Sequence, residues 1–128
     1  MNRTYHSNIP KEQDEQIAVI QFCSILGIPV FHIANGGSRN YLEAINLKRQ
    51  GVKAGVPDLM IPMAMKGYNG LFIEMKRVKG GKVSEHQREW LSILNANGYL
   101  AVVCNGSGEA IETIRNYISG ESFERRKI

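Results

Sequence analysis

The stretch from Gly55 to Lys76 constrains this chain more than any other. It reads Gly-Val-Pro-Asp-Leu-Met-Ile, then Lys-Gly-Tyr-Asn-Gly after a short apolar spacer, then Leu-Phe-Ile-Glu-Met-Lys. Two apolar runs around a turn-forming segment predict paired strands, at about 57–63 and 71–77. Yet Asp58 heads the first run, and Glu74 and Lys76 interrupt the second. An unpaired charge in apolar surroundings is costly, so these three groups need partners.

The rest of the chain supplies what such a pair packs against. Pro10 can open a helix, and apolar residues at Val19, Phe22 and Leu26 recur at helical spacing beside Ile20 and Cys23. Gly27 ends that helix and Pro29 prevents its continuation. Val30 to Ile33 reads as a short strand, and Asn35-Gly36-Gly37 as a turn. Ser38 is a candidate cap for a second helix with Tyr41, Leu42 and Ile45 that stops at Gly51. Ser84 opens a third helix with Trp90, Leu91 and Leu94 inward, closed by Asn97-Gly98. Tyr99 to Cys104 is continuously apolar, as a buried central strand would be. A glycine-rich loop leads into a last helix with Ile111, Ile114, Tyr117 and Ile118. The order is helix, strand, helix, two strands, helix, strand, helix: an α/β fold with a mixed sheet flanked by helices on both faces.

With 128 residues, the chain is expected to form one domain over 11–120, with a loose segment at 1–10 and a basic tail at 121–128. No apolar run is long enough to span a membrane, and the N-terminus lacks the apolar middle of a signal peptide. Cys23 and Cys104 sit in apolar contexts and read as small core residues in a reducing, cytoplasmic compartment. The net charge is +4. Its basic residues crowd the middle of the chain, around the acids: Arg39, Lys48, Arg49, Lys53, Lys76 and Lys79 among them. That distribution suits a phosphate-binding surface.

Side chains two apart on a strand share a face, so Glu74 and Lys76 point together while Ile73 and Met75 point away. Positions 58 and 74 are equidistant from Lys66. If the strand pair closes symmetrically, Asp58 lies opposite Glu74, at about 4.5–5.5 Å between Cβ atoms. Two carboxylates that close repel unless a cation lies between them. Oxygen ligands suit Mg²⁺ or Mn²⁺. Lys76 would stand beside the ion, able to hold an attacking water and to offset charge on a phosphate.

Two further residues have double readings. Glu15 stands at the edge of the stripe through Val19, Phe22 and Leu26, so it could point into the same site or serve as a first-turn acid, a role open equally to Glu12 and Asp14. Gln87 could bind a water or phosphate, while Ser84-x-x-Gln87 also fits a capping box. His32 reads as a satisfied strand histidine, His6 and His86 lack zinc-ligand spacing, and Trp90 reads as core. Gly106-Ser107-Gly108 after a strand imitates a dinucleotide fingerprint, but Ile111 occupies the third small position and no second strand follows with its acid. A nucleotide cofactor is not expected.

Pro57-Asp58 followed by Glu74-Met75-Lys76 resembles the PD-(D/E)XK nuclease superfamily, with its restriction-endonuclease-like core. The surrounding words narrow the likeness: Asp14-Glu15-Gln16, Asn35-Gly36-Gly37, Gly51 to Leu59, Gly70 to Lys76, and Ser84-x-x-Gln87-x-x-Trp90 are similar to the VRR-NUC domain. The resemblance runs from about residue 11 to 118. It implies a metal-dependent DNA phosphodiesterase in which Asp58, Glu74, the Met75 carbonyl and Glu15 hold Mg²⁺ or Mn²⁺. It also implies a catalytic Lys76 and a helical Gln87 lining the site. Lys53, Arg39, Lys48, Arg49, Asn35 and Lys79 are the candidate DNA-binding residues. A copy of the domain on its own resembles phage and prophage forms, which implies a homodimer cutting branched DNA such as Holliday junctions. The alternatives are a flap nuclease, exonuclease or restriction-type nuclease of the same fold, and a non-catalytic DNA-binding module.

Overall fold

The computed structural model describes residues 9–34 and 40–119. Asn35, Arg39, Ser38 and the basic tail lie outside the described residues. Helix α1 spans Glu12–Leu26, with Glu12, Asp14 and Glu15 in its first turn, where the helix dipole favours acids. Gly27, at φ 71°, ends it in the left-handed conformation. Its buried stripe is Glu15, Val19 and Cys23. This corrects the expected stripe: Leu26 is 46% exposed, and Phe22 lies to one side beneath the Arg115 guanidinium, 5.5 Å from its ring centroid.

Strand β1 is only Phe31–His32, and β2 only Leu59–Ile61, both shorter than the apolar runs suggest. Between them α2 covers Tyr41–Arg49. Its cap is Asn40, not Ser38: the Asn40 side chain accepts from the Glu43 N–H at 3.0 Å. Strand β3 is Leu71–Lys76, α3 Glu85–Ala96, β4 Leu100–Asn105 and α4 Ser107–Ile118. The predicted element order therefore holds. Among the described residues no helix is long and apolar enough to cross a membrane.

The four strands form one mixed sheet in the order β1-β2-β3-β4. Strand β2 pairs antiparallel with both β1 and β3, and β3 runs parallel to β4. The central position expected for residues 99–104 is corrected: β4 is an edge strand. It is apolar because α3 and α4 pack against it, and side-chain pattern reports the covered faces of a strand, not its neighbours in the ladder. All six residues of β3 are buried, as befits the interior strand beside it. On one face of the sheet, Leu71, Ile73 and Met75 join Val19, Cys23, Ala110, Ile114 and Tyr117 in a single core. On the other, Phe72 meets Tyr99 edge-on at 5.2 Å, and Glu74 meets α3. That second face carries the polar chemistry. Helix α3 itself has no fully buried residue, so Trp90, Leu91 and Leu94 are half-buried and not core.

Candidate active site

The β2–β3 register pairs Leu59 with Ile73, and one step further sets Asp58 opposite Glu74. Lys66, at φ 54°, sits in the intervening turn. Asp58 is held from both edges of its strand. Its carbonyl accepts from the Ile33 N–H at 2.8 Å and from His32 Nδ1 at 2.9 Å. A carbonyl only accepts, so the His32 contact is a hydrogen bond in the tautomer with its proton on Nδ1; the Gln16 amide lies 3.2 Å from the same nitrogen. On the other edge, the Met75 N–H donates to Asp58 Oδ2 at 2.7 Å.

Glu74 is 1% exposed and Lys76 9% exposed. Lys76 Nζ lies 3.6 Å from Glu74 Oε2. The same oxygen accepts from Gln87 Nε2 at 3.0 Å. Gln87 also closes the capping box: its Oε1 accepts from the Ser84 N–H at 2.9 Å, and its own N–H donates to Ser84 Oγ at 3.1 Å. The capping-box reading of Gln87 therefore holds, and the donor end of the same amide reaches the Glu74 carboxylate. Glu74 Oε1 is buried without a hydrogen-bond partner among the described residues. Burial pushes the Glu74 carboxyl up from 4.5 to about 8; the negative charges of Asp58 and Glu12 add to the rise, and Lys76 opposes it.

Glu12 is the residue that sequence reasoning passed over. It is half-buried, and its carboxyl is also raised, first by burial and then by the charge of Asp58, with Lys76 acting the other way. Glu15, expected here, has one carboxylate oxygen engaged at the start of α4, while the other, Oε2, is buried without a hydrogen-bond partner among the described residues. The engaged oxygen, Oε1, accepts from the Ser107 N–H at 2.9 Å. Gly106 makes room for it: at φ 92°, a Cβ there would lie 3.1 Å from Glu15 Oε2 and 2.7 Å from Val78 Cγ2. Glu15 thus pins α1 to the positive end of α4. The signal for Glu12 lies in the phase of the helix. The observed stripe 15-19-23 extends backward by three to residue 12, whereas a stripe drawn through Phe22 and Leu26 turns that face away.

Among the candidate DNA contacts, Lys48, Arg49, Lys53 and Lys79 are solvent-exposed. Asn35 and Arg39 lie outside the described residues.

No group of three or more His, Cys, Asp or Glu side chains among the described residues stands ready as a complete metal-ligand set. The donor chemistry nonetheless fits a hard cation. Two carboxylates face each other, a third acid lies close enough to bias them, and Glu74 Oε1 is one of two buried carboxylate oxygens without a hydrogen-bond partner among the described residues. Mg²⁺ is commonly bound by one or two carboxylates, with water and substrate oxygens completing its shell.

The VRR-NUC domain family matches residues 33–108, a span that holds Asp58, Glu74, Lys76 and Gln87. The chain is also similar to a solved structure described as a VRR_NUC domain protein. The two share 32% sequence identity with a TM-score of 0.72, over 84% of this chain and 87% of the other. No curated protein matches the chain. Fold and matching motifs together make this a nuclease-type domain. The chain belongs to the VRR-NUC family.

Proposed function

We propose that this domain hydrolyses phosphodiester bonds in DNA with the help of Mg²⁺ or Mn²⁺, acting as an endonuclease on branched DNA. The observation that carries the reading is the buried, partnerless Glu74 Oε1 beside Asp58, with the Lys76 ammonium 3.6 Å from the same carboxylate. Asp58, Glu74 and Glu12 would hold the cation. The Met75 carbonyl points to the same edge of β3 as its N–H, toward Asp58, and is a fourth candidate donor. A bound divalent ion supplies Lewis acidity and neutralises charge on the phosphate.

The chain's own groups do the rest. Lys76, fixed by Glu74 and nearly dry, can hold a water by hydrogen bonding and stabilise negative charge as it grows on the phosphate oxygens. Gln87 orients Glu74 through its amide, leaving Oε1 as the free face of that carboxylate. Lys53, Lys48, Arg49 and Lys79 can grip backbone phosphates, which fixes position without reading sequence. Two-fold assembly would present two sites to two strands. Helix α2 is a candidate for that contact: it buries no residue and leaves Tyr41 78% and Leu42 69% exposed.

The test is incubation with four-way, flap and blunt duplex DNA, with Mg²⁺ or Mn²⁺ and with EDTA. Cation-dependent nicking of the branched substrates is expected. Lys76→Ala and Glu74→Gln should lose cutting and keep DNA binding. Retained nicking by both purified variants would end this assignment.

A further inference from the structure

One turn along α3 from Gln87, a flank of the helix and Lys53 of the 51–55 loop border a shallow groove of about 550 Å³. It is lined by Lys53, Glu89, Trp90, Ser92 and Ile93. Its two walls are fixed relative to each other. Gly55, at φ 91°, lies against the first turn of α3 so closely that a Cβ there would sit 2.6 Å from the His86 carbonyl carbon. No residue with a side chain could bring the loop so near. Trp90 is the only tryptophan of the chain, and it is half-buried here instead of lying in the core. Ile93 continues the apolar floor at 48% exposure. Gln87 and Trp90 are three apart on the helix and therefore neighbours on its surface. Trp90 thus stands one turn from the residue that holds Glu74.

We infer that this groove is a subsite for one unpaired nucleotide of the DNA strand, next to the phosphate being cut. The inference rests on the DNA-cleaving reading above and deepens it by naming the substrate class. Trp90 and Ile93 offer a face for a base, and base–aromatic stacking tolerates any sequence. Lys53 supplies the cation for the adjoining phosphate. Glu89, whose carboxylate lies 3.4 Å from His86 Nδ1, repels phosphate from the helix side. The backbone is thereby kept on the Lys53 wall and the base on the indole wall. The volume lies in the range of small-molecule clefts, about 300–1,000 Å³. A paired base keeps its faces inside the stack and cannot offer one to Trp90. The groove therefore favours DNA with an unpaired nucleotide beside the scissile bond, as at a flap or an open branch point, over uninterrupted duplex.

Trp90 is also its own reporter. In EDTA, where no cutting occurs, its emission is followed while the protein is titrated with three hairpin duplexes: one blunt, one with a short oligothymidylate tail, and one with an abasic tail of equal length. Calorimetry measures binding in the same samples. All three should bind, and only the thymidylate tail should quench Trp90. Trp90→Ala should weaken the thymidylate-tailed hairpin by roughly fivefold to a hundredfold and leave the abasic one unchanged. Lys53→Glu, on an exposed loop, should weaken both tails and keeps the test alive if Trp90→Ala does not fold. Binding of the thymidylate tail without a change in emission would overturn the subsite alone. Failure of every hairpin to bind would overturn the DNA reading and the subsite with it. An emission shift with protein concentration and no DNA would assign the groove to a second copy of the chain, and would likewise overturn it.

Discussion

Replacing Glu74 by Gln should make this protein more stable while destroying its proposed chemistry, and the gain should depend on pH. Glu74 is 1% exposed, and its carboxyl is pushed from 4.5 to about 8, mainly by burial. A folded value above the unfolded one means that the native state holds a proton the unfolded chain releases. The stability from this group is complete below about 4.5, declines as pH rises through the window, and is lost above about 8. At ~1.4 kcal/mol per pH unit, that interval corresponds to up to ~5 kcal/mol. Gln keeps the shape and removes the charge. Its carbonyl oxygen can still accept from Gln87 Nε2, and its NH₂ can donate toward Asp58, turning an acid–acid contact into a donor–acceptor one. Urea unfolding of parent and variant in EDTA, at about pH 5 and about pH 8.5, isolates the group. The two proteins should match near pH 5, and the variant should lead by at least ~2 kcal/mol near pH 8.5. Added Mn²⁺ should then stabilise the parent, by ~2.7 kcal/mol at a hundredfold excess over Kd, and leave the variant unmoved. A parent whose lead or deficit against the variant does not change with pH would refute the reasoning.

The two first-turn glutamates should separate cleanly. Glu15→Gln loses a charged contact at the start of α4 and should cost ~1–2 kcal/mol in urea unfolding while Mn²⁺ uptake by calorimetry persists; Glu12→Gln should leave stability within about 1 kcal/mol and weaken that uptake. Gly55→Ala meets both a left-handed backbone and the His86 main chain, and should cost at least ~2 kcal/mol by the same unfolding assay. Leu42→Glu on α2 should break the proposed dimer into monomers in analytical ultracentrifugation, with the melting temperature unchanged at low concentration.

The pairing of Asp58 with Glu74 could be read from the chain because it needs only a turn centred on Lys66 and the two-residue period of a strand. The fold's element order was legible for a similar reason: glycine, proline and capping residues mark ends locally. What escaped the sequence depends on neighbours far along the chain. Phe22 and Leu26 are apolar, and nothing local tells that α1 docks through Val19 and Cys23, which rotates Glu12 toward the acids and Glu15 toward Ser107. The uniform apolarity of residues 99–103 (Tyr-Leu-Ala-Val-Val) reflects helices above and below, so an edge strand imitates a central one. Spacing alone could show that Gln87 caps α3 but not that the donor end of its amide reaches Glu74, a residue on another element.

That shared amide ties a helix end to the chemistry. First turns of helices open and close at little cost, and in most proteins nothing depends on it. Here the hydrogen bonds that hold Ser84 and Gln87 in their turn also aim the carboxylate of Glu74. Whenever α3 unwinds at its start, the acid loses its bearing. The fraying equilibrium of the four residues 84–87 thus sets an upper limit on how often the buried carboxylate is correctly aligned.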